Sequence, residues 1–327
     1  VLATSLFPPE VGRAPRGQPG HRPFPLPDRI ERKLRPLMAT RPDISPGVRR
    51  IILDLAGLPL SGLLAEPENK PVRAAVVALH GVGMNAGYFD AQSSPDLSLL
   101  RLGPSLGYTV LSLDRPGYGR SAKQLPQGQR LVDQIAAVGQ ALEAFSSRFA
   151  IGTGVLLLAH SFGGKVAIGA AASDATGILA GLDLSGIGHR QEMARCGGAA
   201  EQRGGWECNW GPLRLYPSST FCPAGAPVEP TPPLDIVDAS RWPAHFDELA
   251  PDVRVPVRLT FAEHESWWRH DPDTVAELIA VFRAAPRVAV EHLRDAGHNI
   301  SLGWAARSYH LRALAFLEEC LTLRKLT

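Results

Sequence analysis

The chain has 327 residues, 45% of them hydrophobic, and a formal net charge of +2 at pH 7, enough for one large α/β domain with an insertion or for two smaller domains. Of its 34 basic side chains only five are lysine, and the arginines are scattered with no stripe interleaved with aromatics, which argues against a nucleic-acid surface. No apolar run approaches the roughly 20 residues that span a bilayer.

Residues 1–47 are rich in proline and arginine and show no sustained periodicity. They read as an N-terminal arm with a short helix around Ile30 to Met38. The first nine residues lack the charged-then-apolar layout of a signal peptide, so the expectation is a cytoplasmic protein. The chain starts without methionine, so secretion after removal of a leader is the alternative. Val48 to Ala65 predicts two strands about a turn at Gly57-Leu58-Pro59. From residue 73 strands and helices alternate. Strands are predicted at Ala74 to Leu79, Thr109 to Leu113, Val155 to Leu158 and Ile178 to Leu184. Helices are predicted near Asp96 to Leu106, at Leu131 to Phe149, and from Lys165 to Ala172.

The alternation breaks near Gly186. Residues 187–250 hold Trp206, Trp210, Trp242, three cysteines and a proline cluster from Pro223 to Pro233. This composition shift predicts an inserted lid between core segments 48–186 and 251–327. A strand at Val257 to Phe261, a helix at Pro272 to Phe282, a strand at Val288 to Leu293 and a helix at Trp304 to Leu323 then resume the pattern. Strand and helix in turn imply a mostly parallel central sheet flanked by helices. For Cys196, Cys208 and Cys222 there are two expectations: one disulfide joining Cys222 to Cys208 or Cys196, or free thiols. The fourth cysteine, Cys320, falls in the last predicted helix.

Ala159-His160-Ser161-Phe162-Gly163-Gly164 lies between a predicted strand and helix, with small residues two positions either side of the serine. That is the pattern of a nucleophile elbow. Serine needs a base, and His298 in Asp295-Ala296-Gly297-His298-Asn299 is the candidate. The loop Ala262-Glu263-His264-Glu265-Ser266 offers an acid to orient the imidazole: Glu265 first, Glu263 next, with Asp183 third. Oxyanion donors are expected from the backbone N–H groups of Phe162 and, in His80-Gly81-Val82-Gly83-Met84, of Val82. No His-Glu-x-x-His or paired Cys-x-x-Cys spacing exists, so no metal site is expected, and no cofactor.

Together these segments, with Asp114-Arg115-Pro116-Gly117-Tyr118-Gly119-Arg120-Ser121, resemble the α/β-hydrolase family. The resemblance covers about residues 48–325 apart from the lid, and implies the α/β-hydrolase fold with the order nucleophile, acid, base. It reads Asp114 as structural. Ala159 stands where glycine is more usual, and glutamate where aspartate is the commoner acid. A serine nucleophile implies esters, thioesters, lactones or amides as substrates, cleaved through an acyl-enzyme. Met84, Trp210, Trp267 and Trp268 are candidate substrate contacts, favouring an apolar, medium-to-bulky acyl group. Acyl transfer or cyclisation, with a substrate borne on a carrier protein, is the second expectation. A non-catalytic binding protein on the same fold is the third.

Overall fold

The computed structural model describes residues 43–192, 207–222 and 226–326. The helix expected at 30–38, Trp206 and Cys196 lie outside them. Eight strands form one sheet: β1 (Arg49–Leu55), β2 (Leu58–Ala65), β3 (Ala74–Leu79), β4 (Tyr108–Leu113), β5 (Val155–His160), β6 (Leu179–Ser185), β7 (Val257–His264) and β8 (Val288–Gly297). Their spatial order is β1-β2-β4-β3-β5-β6-β7-β8. β2 runs antiparallel to β1 and β4, and the remaining neighbours are parallel. The helices are α1 (Leu99–Ser105), α2 (Leu131–Arg148), α3 (Phe162–Ala172), α4 (Pro233–Ser240), α5 (Trp242–Leu249), α6 (Pro272–Val281) and α7 (Ala306–Leu326). This is the α/β-hydrolase fold.

Every residue of β3, β4, β5 and β6 is buried. Parallel strands covered on both faces need mostly apolar side chains on both, so they read as near-continuous apolar runs, broken by Thr109 and Ser112 in β4, His160 in β5, and Asp183 and Ser185 in β6. β1, near the end of the sheet, alternates buried and exposed positions instead. The two faces of β5 feed two cores. Val155, Leu157 and Ala159 pack with α2, α3, α5 and α6; Leu156 and Leu158 pack with α1 and α7.

The chain steps from β3 to β4 on one side, then returns to place β5 on the other side of β3. Such a reversal opens a crevice at the carboxyl ends of the strands. There the sequence delivers His80 after β3, Ser161 after β5, Gly186 after β6, Glu265 after β7 and His298 after β8.

Two expectations change in detail. β7 and β8 are longer than predicted, pairing as far as His264 with Gly297, past a register shift between Ala262 and His264. Glu265 and His298 therefore sit directly at strand ends. The segment expected as a lid is not of one kind. In α5, Trp242 and Phe246 are at most 1% exposed and belong to the apolar core containing α3. The part at 207–222 packs on the His298 loop: Asn299 N–H and Nδ2 both donate to Asn209 O, at 3.3 and 3.1 Å. Cys208 is disulfide-bonded, whereas Cys222 is an exposed free thiol, so the bridge to Cys222 does not form. Cys320 is a buried free thiol. No helix among the described residues is long and apolar enough to cross a membrane.

Candidate active site

Ser161 has φ +53° and ψ −119°, a region that costs a non-glycine residue about 1–3 kcal/mol. The turn from β5 into α3 imposes it, and the Ser161 N–H is held by Ser185 O at 2.8 Å. Close packing then selects the neighbours. A Cβ at Gly163 would lie 2.4 Å from Leu79 O and 2.6 Å from His80 O, both rigid backbone. Gly163→Ala is expected to destabilise the protein by about 3 kcal/mol or more, read as a lowered urea midpoint. At Gly81 a Cβ would sit 3.1 Å from Ser161 Cβ, so the His80–Gly83 loop runs directly beside the serine.

His298 leaves the end of β8, and its Nδ1 lies 2.8 Å from Glu265 Oε2. A carboxylate oxygen accepts, so Nδ1 is the donor, and in a neutral imidazole Nε2 is then the acceptor. Glu265 Oε1 accepts from Trp267 N–H at 2.9 Å, and its side chain is fully buried. Both carboxylate oxygens are thus held. Gly186, with φ +60°, directly follows Ser185, and a Cβ there would fall 2.7 Å from His160 Cε1 and 2.8 Å from His298 Cε1. Only glycine fits between the residue that anchors Ser161 and the imidazole.

The other two acid candidates are committed elsewhere. Glu263 is exposed and accepts the Asp295 N–H at 2.7 Å, at a residue with φ +53°. Asp183 is buried in β6, where Arg258 Nε donates to it at 2.6 Å and Tyr309 OH at 3.1 Å. Asp114 accepts from Ser61 Oγ at 2.6 Å and Ala86 N–H at 2.7 Å, tying β2 to the loop after β3. Burial raises its carboxyl to about 6.

The peptide between Gly81 and Val82 is oriented by its carbonyl. Gly81 O accepts from His80 Nδ1 at 2.8 Å and faces Arg115 Nη2 at 3.4 Å. His80 Nε2 accepts the Arg115 N–H at 3.1 Å, which places the ring proton on Nδ1. Burial keeps His80 well below the usual histidine range and therefore neutral. In a planar trans peptide the N–H points opposite to the C=O. With Gly81 O held inward, the Val82 N–H points the other way. No turn or loop hydrogen bond among the described residues takes up the N–H of Val82 or of Phe162. Phe162 also opens α3, where the helix dipole favours negative charge.

Residues not singled out from the sequence complete the surroundings. His160 stacks on Tyr88 at 4.7 Å, lies 4.8 Å from the His298 ring, and bonds Ser185 Oγ at 3.2 Å. Burial first, and then the neighbouring His298, hold it well below the usual range, so it stays neutral beside His298. Its place next to Ser161 was the only signal available. Of the candidate substrate contacts, Trp267 is half-buried, 6.5 Å from the His298 ring, and donates to Asn209 Oδ1 at 2.9 Å. Met84, Trp210 and Trp268 are packed inside. Met84 pairs with Val228, Trp210 stacks edge-on with Tyr216 and Phe221, and Trp268 donates to Gly186 O at 2.9 Å. A cavity of about 770 Å³ beside β1 and β2, reaching Asp114 and Glu229, includes none of Ser161, Glu265 or His298.

Lys165, one turn into α3, is 4% exposed and faces the rings of Phe162, Trp242 and Trp268 at 5.1, 5.5 and 5.7 Å. Burial lowers its ammonium from 10.5 to about 7, against the pull of Asp235. Between those values the unfolded chain binds more protons, so this group makes stability rise with pH across that window. Its penalty is full below the folded value and vanishes above the unfolded one. Lys165→Met is expected to add about 1–3 kcal/mol at neutral pH. It should also flatten the rise toward about pH 9 relative to wild type in urea titrations.

A model of the alpha/beta hydrolase family matches residues 76–310. No curated protein matches the sequence. Among solved structures, a lipase in its open form aligns with TM-score 0.63 at 16% identity, covering 84% of this chain and 99% of that one. The N-acyl homoserine lactonase AidH, complexed with N-hexanoyl homoserine, gives 0.61 at 13%, covering 84% and 97%. The thioesterase domain from the curacin biosynthetic pathway gives 0.55 at 16%, covering 82% and 99%. At these identities the likeness is one of fold.

Proposed function

The chain belongs to the alpha/beta hydrolase family, and on that premise we propose that it is a serine hydrolase acting on a carboxylic ester or thioester. The observation that carries the reading is His298 Nδ1 at 2.8 Å from a fully buried Glu265, together with a serine held at φ +53° on the turn after β5. Ser161 Oγ attacks the substrate carbonyl carbon while His298 Nε2 takes its proton. The oxyanion that forms accepts hydrogen bonds from the N–H groups of Phe162 and Val82. As the tetrahedral intermediate collapses, the bond to the alcohol or thiol breaks and His298 returns the proton to the leaving group. Water, deprotonated by His298, then attacks the acyl-enzyme; the acyl–Oγ bond breaks, His298 returns the proton to Ser161 Oγ and the acid is released. Glu265 orients the ring through Nδ1 and stabilises the imidazolium that forms.

Trp267 supports an apolar acyl group, because it is half-buried next to His298. Activated esters and thioesters of increasing acyl length test this: kcat/KM should climb from acetyl to medium-chain acyl groups. Mass analysis of the product separates hydrolysis from transfer. The free acid is expected, and a ring or conjugate as the main product would replace this reading with acyl transfer.

A further inference from the structure

We propose that Asp235 is a positioning residue of the oxyanion hole, acting through Arg115 and Tyr118 on the peptides either side of Val82. This rests on the proposed serine chemistry and adds a part of the chain remote from it in sequence.

Asp235 lies in α4, in the segment between β6 and β7, and is fully buried. Its Oδ2 accepts from Arg115 Nη2 and from Tyr118 OH, both at 2.8 Å. Its Oδ1 accepts from Gln134 Nε2 at 2.8 Å. Each of the first two partners then reaches the loop. Arg115 Nε donates to His80 O at 3.0 Å, and Nη2 faces Gly81 O at 3.4 Å. Tyr118 OH accepts the Gly83 N–H at 3.1 Å. Gln134 Oε1 accepts the remaining arm, Arg115 Nη1, at 2.6 Å. The guanidinium also lies 4.6 Å from the Phe162 ring, so one cation touches Phe162 and the carbonyl of the peptide that carries the Val82 N–H.

The carboxylate sets directions as well as distances. Tyr118 has one proton to give. Given to Asp235, it leaves a lone pair for the Gly83 N–H. Without that acceptor the hydroxyl is free to turn and present its hydrogen to Gly83. Arg115 is fully buried, and its placement against His80 O and Gly81 O relies on a charge partner. The carbonyl of Gly81 and the N–H of Val82 belong to one planar unit, so a tilt of the first misaims the second.

Tyr118→Phe keeps the Arg115–Asp235 ion pair and removes the hydroxyl that links Asp235 to Gly83; Asp235→Asn keeps the shape and removes the charge. Removing an oxyanion donor outright costs about 10²–10³ in kcat, so displacing one is expected to cost about tenfold in Tyr118→Phe and more in Asp235→Asn. KM should hold. A trifluoromethyl ketone, whose adduct with Ser161 carries an oxyanion, should weaken by the same factor as kcat/KM falls. The carboxylic acid product should bind as before, and the pH midpoint of kcat/KM should not move. Rates are taken per active site titrated with a fluorophosphonate, so loss of folded protein does not count. If Asp235→Asn fails to fold, Tyr118→Phe carries the test alone. Tyr118→Phe with unchanged kcat and unchanged ketone affinity, in a wild type that does turn over, overturns this inference only. A wild type that neither turns over nor labels at Ser161 overturns it together with the hydrolase reading.

Discussion

Ser161→Ala is expected to lower kcat on an activated ester by on the order of a million-fold, as loss of the nucleophile from a triad does. The substitution is gentle to the fold. Alanine meets the same positive φ penalty as serine, and the Ser185 O contact uses the backbone N–H, which alanine keeps. The urea midpoint should therefore move little. What is lost is the hydroxyl proposed to form the acyl bond. Residual turnover should come from Val82 and Phe162 N–H groups acting on bound substrate with water as the attacking group.

Glu265→Gln is expected to lower kcat by about 10⁴, because an amide facing Nδ1 can favour the wrong imidazole tautomer. The amide oxygen can still accept the Trp267 N–H at Oε1's position, so the loop should stay in place. Glu263→Gln is the matched control. It is exposed, and an amide oxygen can accept the Asp295 N–H as well as the carboxylate does. Its activity should remain within about twofold of wild type. A reversed result, with Glu263→Gln inactive and Glu265→Gln active, would move the acid by two residues.

The two glutamates show what was legible and what was not. The elbow could be read because its demands are local: small residues at 159 and 163, a strand before, a helix after. The ranking of Glu265 over Glu263 rests only on its place deeper in the loop, with no local feature to explain it. In a regular strand, residues two apart face the same way. Here β7 shifts register between Ala262 and His264, and the Glu265 N–H turns back onto Ala262 O at 3.0 Å, so one glutamate faces solvent and the other the imidazole. That bend is a tertiary effect of pairing with β8.

The segment at 187–250 was legible as a departure from the sheet but not as two different parts. Trp242 looks like a lid aromatic by composition, and Phe246 follows it on the same helix. Spaced four apart on α5, they share one helix face, which packs into the core beside α3. Asp235 carried no signal at all. Its partners Arg115 and Tyr118 sit in a segment that could be read as structural, but nothing local says that a carboxylate beyond the proline cluster neutralises that arginine.

The central claim is that Ser161 is an activated nucleophile with Glu265 and His298 as its partners. Incubation with a fluorophosphonate, followed by intact-mass and peptide analysis, tests it most directly. One adduct per chain is predicted, on the peptide bearing Ser161, absent in Ser161→Ala and formed far more slowly in Glu265→Gln. No adduct, or an adduct on another residue that persists in Ser161→Ala, would contradict it.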